Sequence, residues 1–157
     1  MTSIYRPPPK FYFSASVPGI SSAGAPRDSL DCNFEEVSGI EVEFGAEEVG
    51  EGGGYIYRLP QHQKYPPLVL KRGVVTIASP LGTWVSETFQ ANLATRITPQ
   101  AVIVNLFGPA GDIIMSWTFY NAYPLKWKTS SLNSTANEVL TESLEFSYTN
   151  FVRTIPA

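Results

Sequence analysis

Few residues of this sequence have the types and spacing that catalytic or metal chemistry requires. His62 is the only histidine, so a Ser-His or Cys-His catalytic pair would have to use it, and no G-x-S-x-G nucleophile pattern is present. One histidine and the single Cys32 cannot form a zinc site without carboxylate ligands. The glycine run Gly50–Gly54 is not followed by Gly-Lys-Ser/Thr, so it is not a phosphate-binding loop. We therefore expect no catalytic residues, no metal and no cofactor, and a structural or solvent-exposed His62.

The charged residues are divided into two blocks along the chain. Nine of the 14 acidic residues lie between Asp28 and Glu51, with no Lys or Arg among them. The next stretch holds only cations, namely Arg58, Lys64, Lys71 and Arg72. A glycosidase-type carboxylate pair is one interpretation of so many acids, but a solvated acidic face is the one we prefer. The two blocks either pair within one monomer or join neighbouring copies head to tail.

Length and composition indicate a single β-rich domain. The chain has 157 residues, 43% of them hydrophobic and only 16% charged, with 12 Gly, 13 Pro and a net charge of −3. These values exclude a disordered polyelectrolyte and argue against general nucleic-acid binding. The opening MTSIYRPPP lacks the regions of a signal peptide, and no apolar run reaches the ~18 residues of a membrane helix. We expect a chain made in the cytoplasm that does not itself insert into a membrane.

Periodicity predicts many short strands and one helix. Period-two alternation predicts a strand over Ile40–Phe44, with Ile40, Val42 and Phe44 on one face. A helix is predicted at about 80–93, where Leu81, Trp84, Val85, Phe89 and Leu93 follow helical spacing after an N-cap at Ser79 and a proline at the first position. The other predicted strands are 10–17, 55–59, 68–77, 101–107, 113–120, 123–127 and 139–148.

The remaining segments are predicted to be loops or termini. Gly45–Gly54 reads as a glycine-rich acidic loop, and Leu59–Pro67 as a loop rich in Pro and Gln. Residues 1–9 are predicted to be a flexible arm and 150–157 a C-terminal tail of one domain spanning 1–157. The predicted fold class is mainly β, with two packed antiparallel sheets forming a sandwich or barrel and one short α-helix.

Four segments, in order along the chain, resemble the phage tail-tube protein family, which includes the inner tubes of contractile injection systems. Phe34–Glu43 resembles its F-x-E-V-S-G-L signature, and Leu68–Gly73 its I-T-L-K-R-G strand. Trp117–Lys126 is similar to its W-x-x-x-N-A-x-P-x-K segment, and Asn137–Glu145 to its S-N-E-V-A-x-E-x-L-E-L ending. Trp84 falls where the short helix of the family carries an aromatic residue.

The resemblance implies a structural role without catalysis. Six subunits would close a ring, their sheets would join edge to edge around a lumen, and rings would stack into a tube inside a contractile sheath. Spike, baseplate and tube-terminator proteins would be further partners, and protein cargo or DNA would occupy the lumen. An adaptor ring between tube and spike is the alternative role within the family. A monomeric β-sandwich that binds carbohydrate is the alternative from another class.

The acidic loop is the segment for which we expect contacts between subunits. Fixing a flexible loop costs about 1–2 kcal/mol per residue, and a docking surface on the next ring would offset that cost. The expected contact residues are Glu47, Glu48, Glu51, Arg58, Lys64, Lys71 and Arg72.

Overall fold

A computed structural model describes residues 12–20, 32–74, 79–135 and 138–156. Within these ranges the chain forms ten strands and one helix. In chain order they are β1 Tyr12–Ser16, β2 Cys32–Phe34, β3 Glu36–Ser38, β4 Glu43–Gly50, β5 Ile56–Lys64, β6 Leu68–Gly73, α1 Pro80–Ala91, β7 Gln100–Phe107, β8 Ile113–Thr129, β9 Thr141–Ser147 and β10 Asn150–Thr154. The predicted arm at 1–9 lies outside the described residues.

Two antiparallel sheets share the long strand β8. The first half of β8 pairs with β7 on one side and β10 on the other, and β7 continues through β1 to β2. We call this five-stranded layer sheet 1. The second half of β8 pairs with β9, and β9 continues through β6 to β3. This four-stranded layer is sheet 2. Only Glu35 separates β2 from β3, so the two sheets are connected there as well as at β8, and they enclose one core as a small barrel-like sandwich. These antiparallel sheets with one helix confirm the predicted fold class, which is mainly β.

Asn121 lies in the short stretch where β8 passes from sheet 1 to sheet 2. The last β8–β10 pair is Tyr120 with Asn150, and β8–β9 pairing begins at Tyr123. Between them Asn121 has a left-handed backbone with φ of 52°. Asparagine tolerates this conformation far better than most residues other than glycine. The segment predicted as a separate strand at 123–127 is therefore the continuation of β8 after a local change of direction.

We expect the left-handed backbone at Asn121 to restrict which residues it accepts. Asn121→Gly should leave the free energy of unfolding close to that of the wild type, because glycine adopts positive φ freely. Asn121→Val should lower it by about 1–2 kcal/mol, since a β-branched side chain crowds the following carbonyl. Urea titration of both variants measures the difference, and equal losses would contradict a backbone requirement.

Helix α1 closes one side of the barrel and begins as predicted. Ser79 is the N-cap, its side chain accepts the amide hydrogen of Gly82 at 3.0 Å, and Pro80 is the first helical residue. Leu81, Trp84 and Val85 are buried. They pack in a common core with inward-facing residues of both sheets, including Phe119 and Phe146.

The predicted apolar face of the helix was too long. Phe89 is 40% exposed and Leu93 is 78% exposed. The helix ends at Ala91 because Asn92 adopts a left-handed conformation, with φ of 44°, so Leu93 no longer follows helical spacing. Only the first two turns of α1 therefore contribute to the core.

The segment from residue 40 to residue 67 differs most from the sequence prediction. No strand forms at residues 40–42, and Val42 and Phe44 are exposed instead of sharing a buried face. The predicted loops at 45–54 and 59–67 were wrong, because they supply most of β4 and β5, which pair as an antiparallel hairpin. Only Gly52, Gly53 and Gly54 lie in the turn, where Gly54 has φ of 83° and its amide donates to the Glu51 carbonyl at 3.3 Å.

The predicted C-terminal tail is also partly ordered structure. Residues 150–154 form β10, and Phe151 lies directly opposite Phe119 of β8 and packs against the core. Cross-strand pairing with sheet 1 therefore holds this segment.

Candidate assembly surface

The hairpin formed by β4 and β5 stands apart from the barrel. Within the described residues the two strands pair only with each other, and every residue of β5 is exposed. Cross-strand neighbours share a face of a sheet, so the register places Val49 with Tyr57 on one face, and Leu59 with Glu47 on that same face. Val49, Tyr57 and Leu59 are between 38% and 50% exposed. We call these three residues the apolar hairpin face.

The opposite face of the hairpin is mixed, because it carries an ion pair together with Ala46, Ile56 and Pro60. Glu48 lies across from Arg58, and its carboxylate accepts a hydrogen bond from the Arg58 Nε at 3.3 Å. Both side chains are more than half exposed, so this ion pair contributes only about 0–1 kcal/mol. Glu51 is exposed at the turn. The three acidic residues expected to make subunit contacts therefore all lie on the exposed hairpin.

Two of the predicted contact cations also lie at the surface. Lys64 ends β5 directly across from Glu43, which begins β4. Lys71 lies on β6 and pairs with Glu36 of β3 at 3.9 Å, with both side chains partly exposed. The ion pairs Lys71–Glu36 and Arg58–Glu48 join the basic and acidic blocks within one monomer, which is one of the two interpretations of the charge pattern.

Arg72 does not belong to this surface, contrary to its inclusion among the contact residues. Its side chain is 4% exposed, and its Nε donates to the Glu142 Oε1 at 2.6 Å. Alternation along β6 turns Arg72 inward beside Leu70 and Leu68. The guanidinium also lies 5.3 Å from the centre of the Phe34 ring.

The buried Arg72–Glu142 pair connects the sheets to the helix. The Nη2 of Arg72 donates to the Ser79 Oγ at 3.1 Å. The Trp127 indole Nε1 donates to the Glu142 Oε2 at 3.3 Å. A side chain at Gly82 would come within 2.9 Å of the Ser79 Oγ, which explains a glycine inside the helix. Both partners are charged and almost fully buried, so their hydrogen bonds are strong. The network therefore fixes the N-terminus of the helix against sheet 2.

The segment that leads into the hairpin is anchored at Gly39. Gly39 has φ of 83°, and a side chain there would collide with the Pro67 carbonyl. Its own carbonyl accepts a hydrogen bond from the Tyr148 hydroxyl at 3.3 Å. Burial, with smaller contributions from Tyr65 and Glu41, raises the pKa of Tyr148 to about 12, so this donor stays protonated at physiological pH.

Side chains that could ligate a metal are not clustered in the described residues. No group of three His, Cys, Asp or Glu side chains among them is placed to hold a metal ion. His62 lies on the exposed strand β5 and borders a shallow depression with Phe44 and Gln61. In the part of the chain that the structure covers, no helix has the length and apolar character to cross a membrane.

Sequence reasoning missed the apolar hairpin face, although a signal for it exists. The strand predicted at 55–59 already contains Tyr57 and Leu59 at period-two spacing. Its continuation to Lys64 and its partner strand β4 were missed, because the prolines, glutamines and glycines of these stretches are typical of loops.

A small barrel with a projecting hairpin whose apolar face has no partner in the described chain defines a class of protein. It is a structural subunit built to associate, since contiguous exposed apolar surface marks interaction sites. The chain belongs to the T4-like virus tail tube protein gp19 family, whose model matches residues 9–152. No curated protein matches the chain at a significant level.

Solved structures with the same fold come from several injection machines. A chain of the six-fold-symmetrised anti-feeding prophage baseplate is 26% identical, with a TM-score of 0.71 and coverage of 92% of both chains. A chain of the PVC extracellular contractile injection system, in its extended sheath–tube complex, is 20% identical, with a TM-score of 0.72 and coverage of 98% and 95%. Hcp1 from Salmonella typhimurium is 13% identical, with a TM-score of 0.53 and coverage of 92% of this chain and 86% of its own.

Membership of this family defines the role of the protein. The protein is a tail-tube subunit of a phage tail or of a contractile injection system, and its role is structural rather than enzymatic. This assignment replaces the alternative of a monomeric carbohydrate-binding module.

Proposed function

We propose that the chain is the repeating subunit of the tube, with six copies closing each ring and rings stacking around a cargo-conducting lumen. The exposed apolar hairpin face is the observation that carries this proposal. A hairpin that packs on nothing in its own chain is at most marginally stable in water, because two strands alone bury too little surface. A neighbouring copy would supply the missing surface.

Burial of the apolar hairpin face would contribute most of the contact energy. Covering a Val, Leu or aromatic side chain completely is worth about 1.5–3 kcal/mol, and Val49, Tyr57 and Leu59 are all partly exposed in the single chain. A closed ring repeats the same contact in every copy. The sum is then large enough to order a tube even though each contact is small.

The charged residues of the hairpin would set its orientation on the neighbour. Glu47 and Glu51 are exposed and have no ion pair among those within the described chain, and Lys64 and Lys71 are candidate cations on the receiving copy. Glu48 and Arg58 would exchange their mutual contact for one across the interface. Arg72 is left out of this proposal because it is buried with Glu142.

An adaptor ring that joins tube to spike is the second candidate. The 26% identity to a chain of the anti-feeding prophage baseplate supports it, since a baseplate is where such a ring would lie. The two roles differ in the assembly they produce. A repeating subunit forms long tubes by itself, whereas an adaptor forms single rings.

The proposed partners follow from the tube. A sheath protein would surround it, a spike and baseplate would cap one end, and a terminator would close the other. Protein cargo or DNA would pass through the lumen. The particle would assemble in the bacterial or host cytoplasm and then either be released or be anchored at a membrane.

Reversing the charge of the hairpin should impair stacking without unfolding the chain. We expect Glu47→Lys with Glu48→Lys to retain the circular dichroism spectrum of the wild type but to give short tubes or none. Wild-type assembly should also weaken with salt, because exposed charges are screened beyond about 10 Å at 0.1 M. Electron microscopy of both proteins measures tube length.

A matched control separates local contacts from net charge. Glu87→Lys with Glu138→Lys makes the same change in charge at exposed positions away from the hairpin, and it should leave tube length unchanged. Tubes of normal length from the hairpin variant would exclude the hairpin charges from stacking, while the family assignment would stand.

A further inference from the structure

We propose that the apolar hairpin face of one copy docks on the loop between β8 and β9 of a copy in the next ring. This inference rests on the proposed tube, and it names the surface that receives the hairpin. The loop comprises residues 130–140, of which the structure describes 130–135 and 138–140. We call it the distal loop.

The distal loop exposes apolar side chains that nothing in the described chain covers. Leu132 is 80% exposed and Val139 is 75% exposed. Together with Leu140 they border a depression of about 270 Å³. Val74, which is itself exposed, lies beside them because its amide donates to the Leu140 carbonyl at 3.0 Å. Contiguous apolar surface of this kind marks an interaction site.

Hydrogen bonds give the distal loop a defined shape. The Asn133 Oδ1 accepts from the Thr135 amide at 3.1 Å and from the Thr135 hydroxyl at 2.7 Å. At the base of the loop, the Ser130 amide donates to the Thr141 carbonyl at 2.8 Å, and the Thr141 amide donates to the Ser130 Oγ at 3.0 Å. A surface that is already ordered loses little conformational entropy on binding, so the distal loop suits the receiving role.

The register of sheet 2 places the hairpin and the distal loop at opposite ends of that sheet. The hairpin is rooted where β6 begins, since only residues 65–67 separate Lys64 of β5 from Leu68. At its other end, β6 finishes at Gly73, which lies opposite Thr141, the residue that follows the distal loop. A contact between two different surfaces at opposite ends is heterologous, so it repeats from copy to copy and builds an open stack.

The hairpin is long enough to leave its own ring. The eight residues of β4 extend over roughly 25 Å at ~3.3 Å per residue. Every residue of β5 is exposed, so the hairpin does not fold back on its own barrel. It therefore reaches a copy that is displaced along the strands of sheet 2, and the distal loop is the end of that copy which faces it.

The charges beside the two surfaces are complementary. Glu47 lies on the same side of the hairpin as the apolar residues, and Glu51 is exposed at the tip. Near the distal loop, Ser143 of β9 pairs with Lys71 on one side and with Lys128 on the other, so both lysines share one face of sheet 2. Lys128 is exposed and Lys71 is partly exposed. An acidic hairpin thus meets a basic rim, which selects a second copy of this chain and sets its orientation.

Glu138 is an exposed acid of the distal loop and lines the same depression as Val139. Glu138→Lys adds a cation beside an acidic partner, so it does not weaken the contact. The expectation of undiminished tube length for the Glu87→Lys, Glu138→Lys control therefore stands.

Aspartate substitutions on either surface test the contact. The loop variant combines Leu132→Asp with Val139→Asp, and the hairpin variant combines Val49→Asp with Tyr57→Asp. Each should form six-fold rings but no tubes, even at concentrations about a hundredfold above those at which the wild type assembles, because a charge buried in an apolar contact is costly. Circular dichroism checks that both variants keep the wild-type fold.

The matched control places the same substitutions outside both surfaces. Leu93 and Ile155 are 78% and 62% exposed, so Leu93→Asp with Ile155→Asp changes two apolar surface residues in the same way. This variant should form tubes of normal length. Normal tubes from the loop variant would overturn the contact while leaving the tube role intact.

Mixing the two variants shows whether the two surfaces meet each other. A ring of the loop variant keeps an intact hairpin, and a ring of the hairpin variant keeps an intact distal loop. Equal amounts should therefore form pairs of rings that grow no further, whereas neither variant forms such pairs alone. A mixture that stays as single rings would overturn the contact.

Cross-linking gives a second measurement in tubes that keep both surfaces. In a Cys32→Ser background, a short bis-maleimide should link Tyr57→Cys with Leu132→Cys into a ladder of chains, but should not link Tyr57→Cys with Leu93→Cys. Assembled tubes without the first ladder would overturn the contact. A wild-type chain that forms only single rings would also overturn it and would indicate the adaptor role. A wild-type chain that forms no rings would overturn the proposed function itself.

Discussion

Replacing Arg72 with alanine is expected to lower the free energy of unfolding by about 3–5 kcal/mol. The substitution leaves the Glu142 carboxylate without its counter-ion at a site where it is 11% exposed. It also removes the donor to Ser79, which caps helix α1. An unpaired charge in a nearly dry site cannot regain its hydration, so the loss far exceeds that of a surface ion pair.

The Glu48–Arg58 pair is the matched control for Arg72. Both are Arg–Glu pairs between neighbouring strands, but Arg58 is 76% exposed. Arg58→Ala should change the free energy of unfolding of the disassembled chain by less than about 1 kcal/mol. Chemical denaturation of both variants provides the comparison. A loss below 1 kcal/mol for Arg72→Ala would mean that the buried network does not hold the helix to sheet 2.

Trp84→Ala should destabilise the fold by a similar amount, about 3–5 kcal/mol, by opening a cavity in the core. Trp84 is buried and its ring stacks on Phe146 of β9, with centroids 5.8 Å apart and planes inclined by 12°. This contact joins the helix to the centre of sheet 2. Leu81 and Val85 are the other buried residues of the helix. Both are already packed in the core, so neither can fill the space that Trp84 leaves.

Phe89 provides the control on the same helix. It lies toward the C-terminal end of α1 and is 40% exposed, so Phe89→Ala should cost much less than Trp84→Ala in the same unfolding titration. Equal losses would indicate that the whole predicted face, and not only its first two turns, packs in the core.

The sequence predicted the parts of the fold in which local pattern and burial agree. The helix was recognised because the N-cap at Ser79, the proline after it and the apolar spacing all indicate the same element. Strand β9 was recognised because Leu144 and Phe146 alternate with polar residues and are buried as the alternation requires. This alternation determines which face of the strand points into the core.

The hairpin was recognised only in the part of β5 that falls within the predicted strand at 55–59. Neither of its strands packs against a core in its own chain, and the glycines near its turn suggested a loop for 45–54, which includes most of β4. A contact with another molecule is not visible in the local pattern of one chain.

The charged residues of the candidate site show the same limit. Arg72 and Lys71 are adjacent and both cationic, yet β6 turns one into the core and the other to the surface. The partner of Arg72 lies 70 residues further along the chain, so only the pairing of β6 with β9 identifies it. Composition located the charged blocks correctly, but tertiary structure decides which members are available to a neighbour.

Electron microscopy of the purified wild-type chain, concentrated without sheath or baseplate proteins, is the most direct test of the account. We expect hollow tubes of uniform bore built from stacked six-fold rings, because the apolar hairpin face requires a partner outside its own chain. Single six-fold rings that never stack would indicate the adaptor role instead. A monodisperse monomer at high concentration, with the hairpin exposed and no rings, would contradict the central claim.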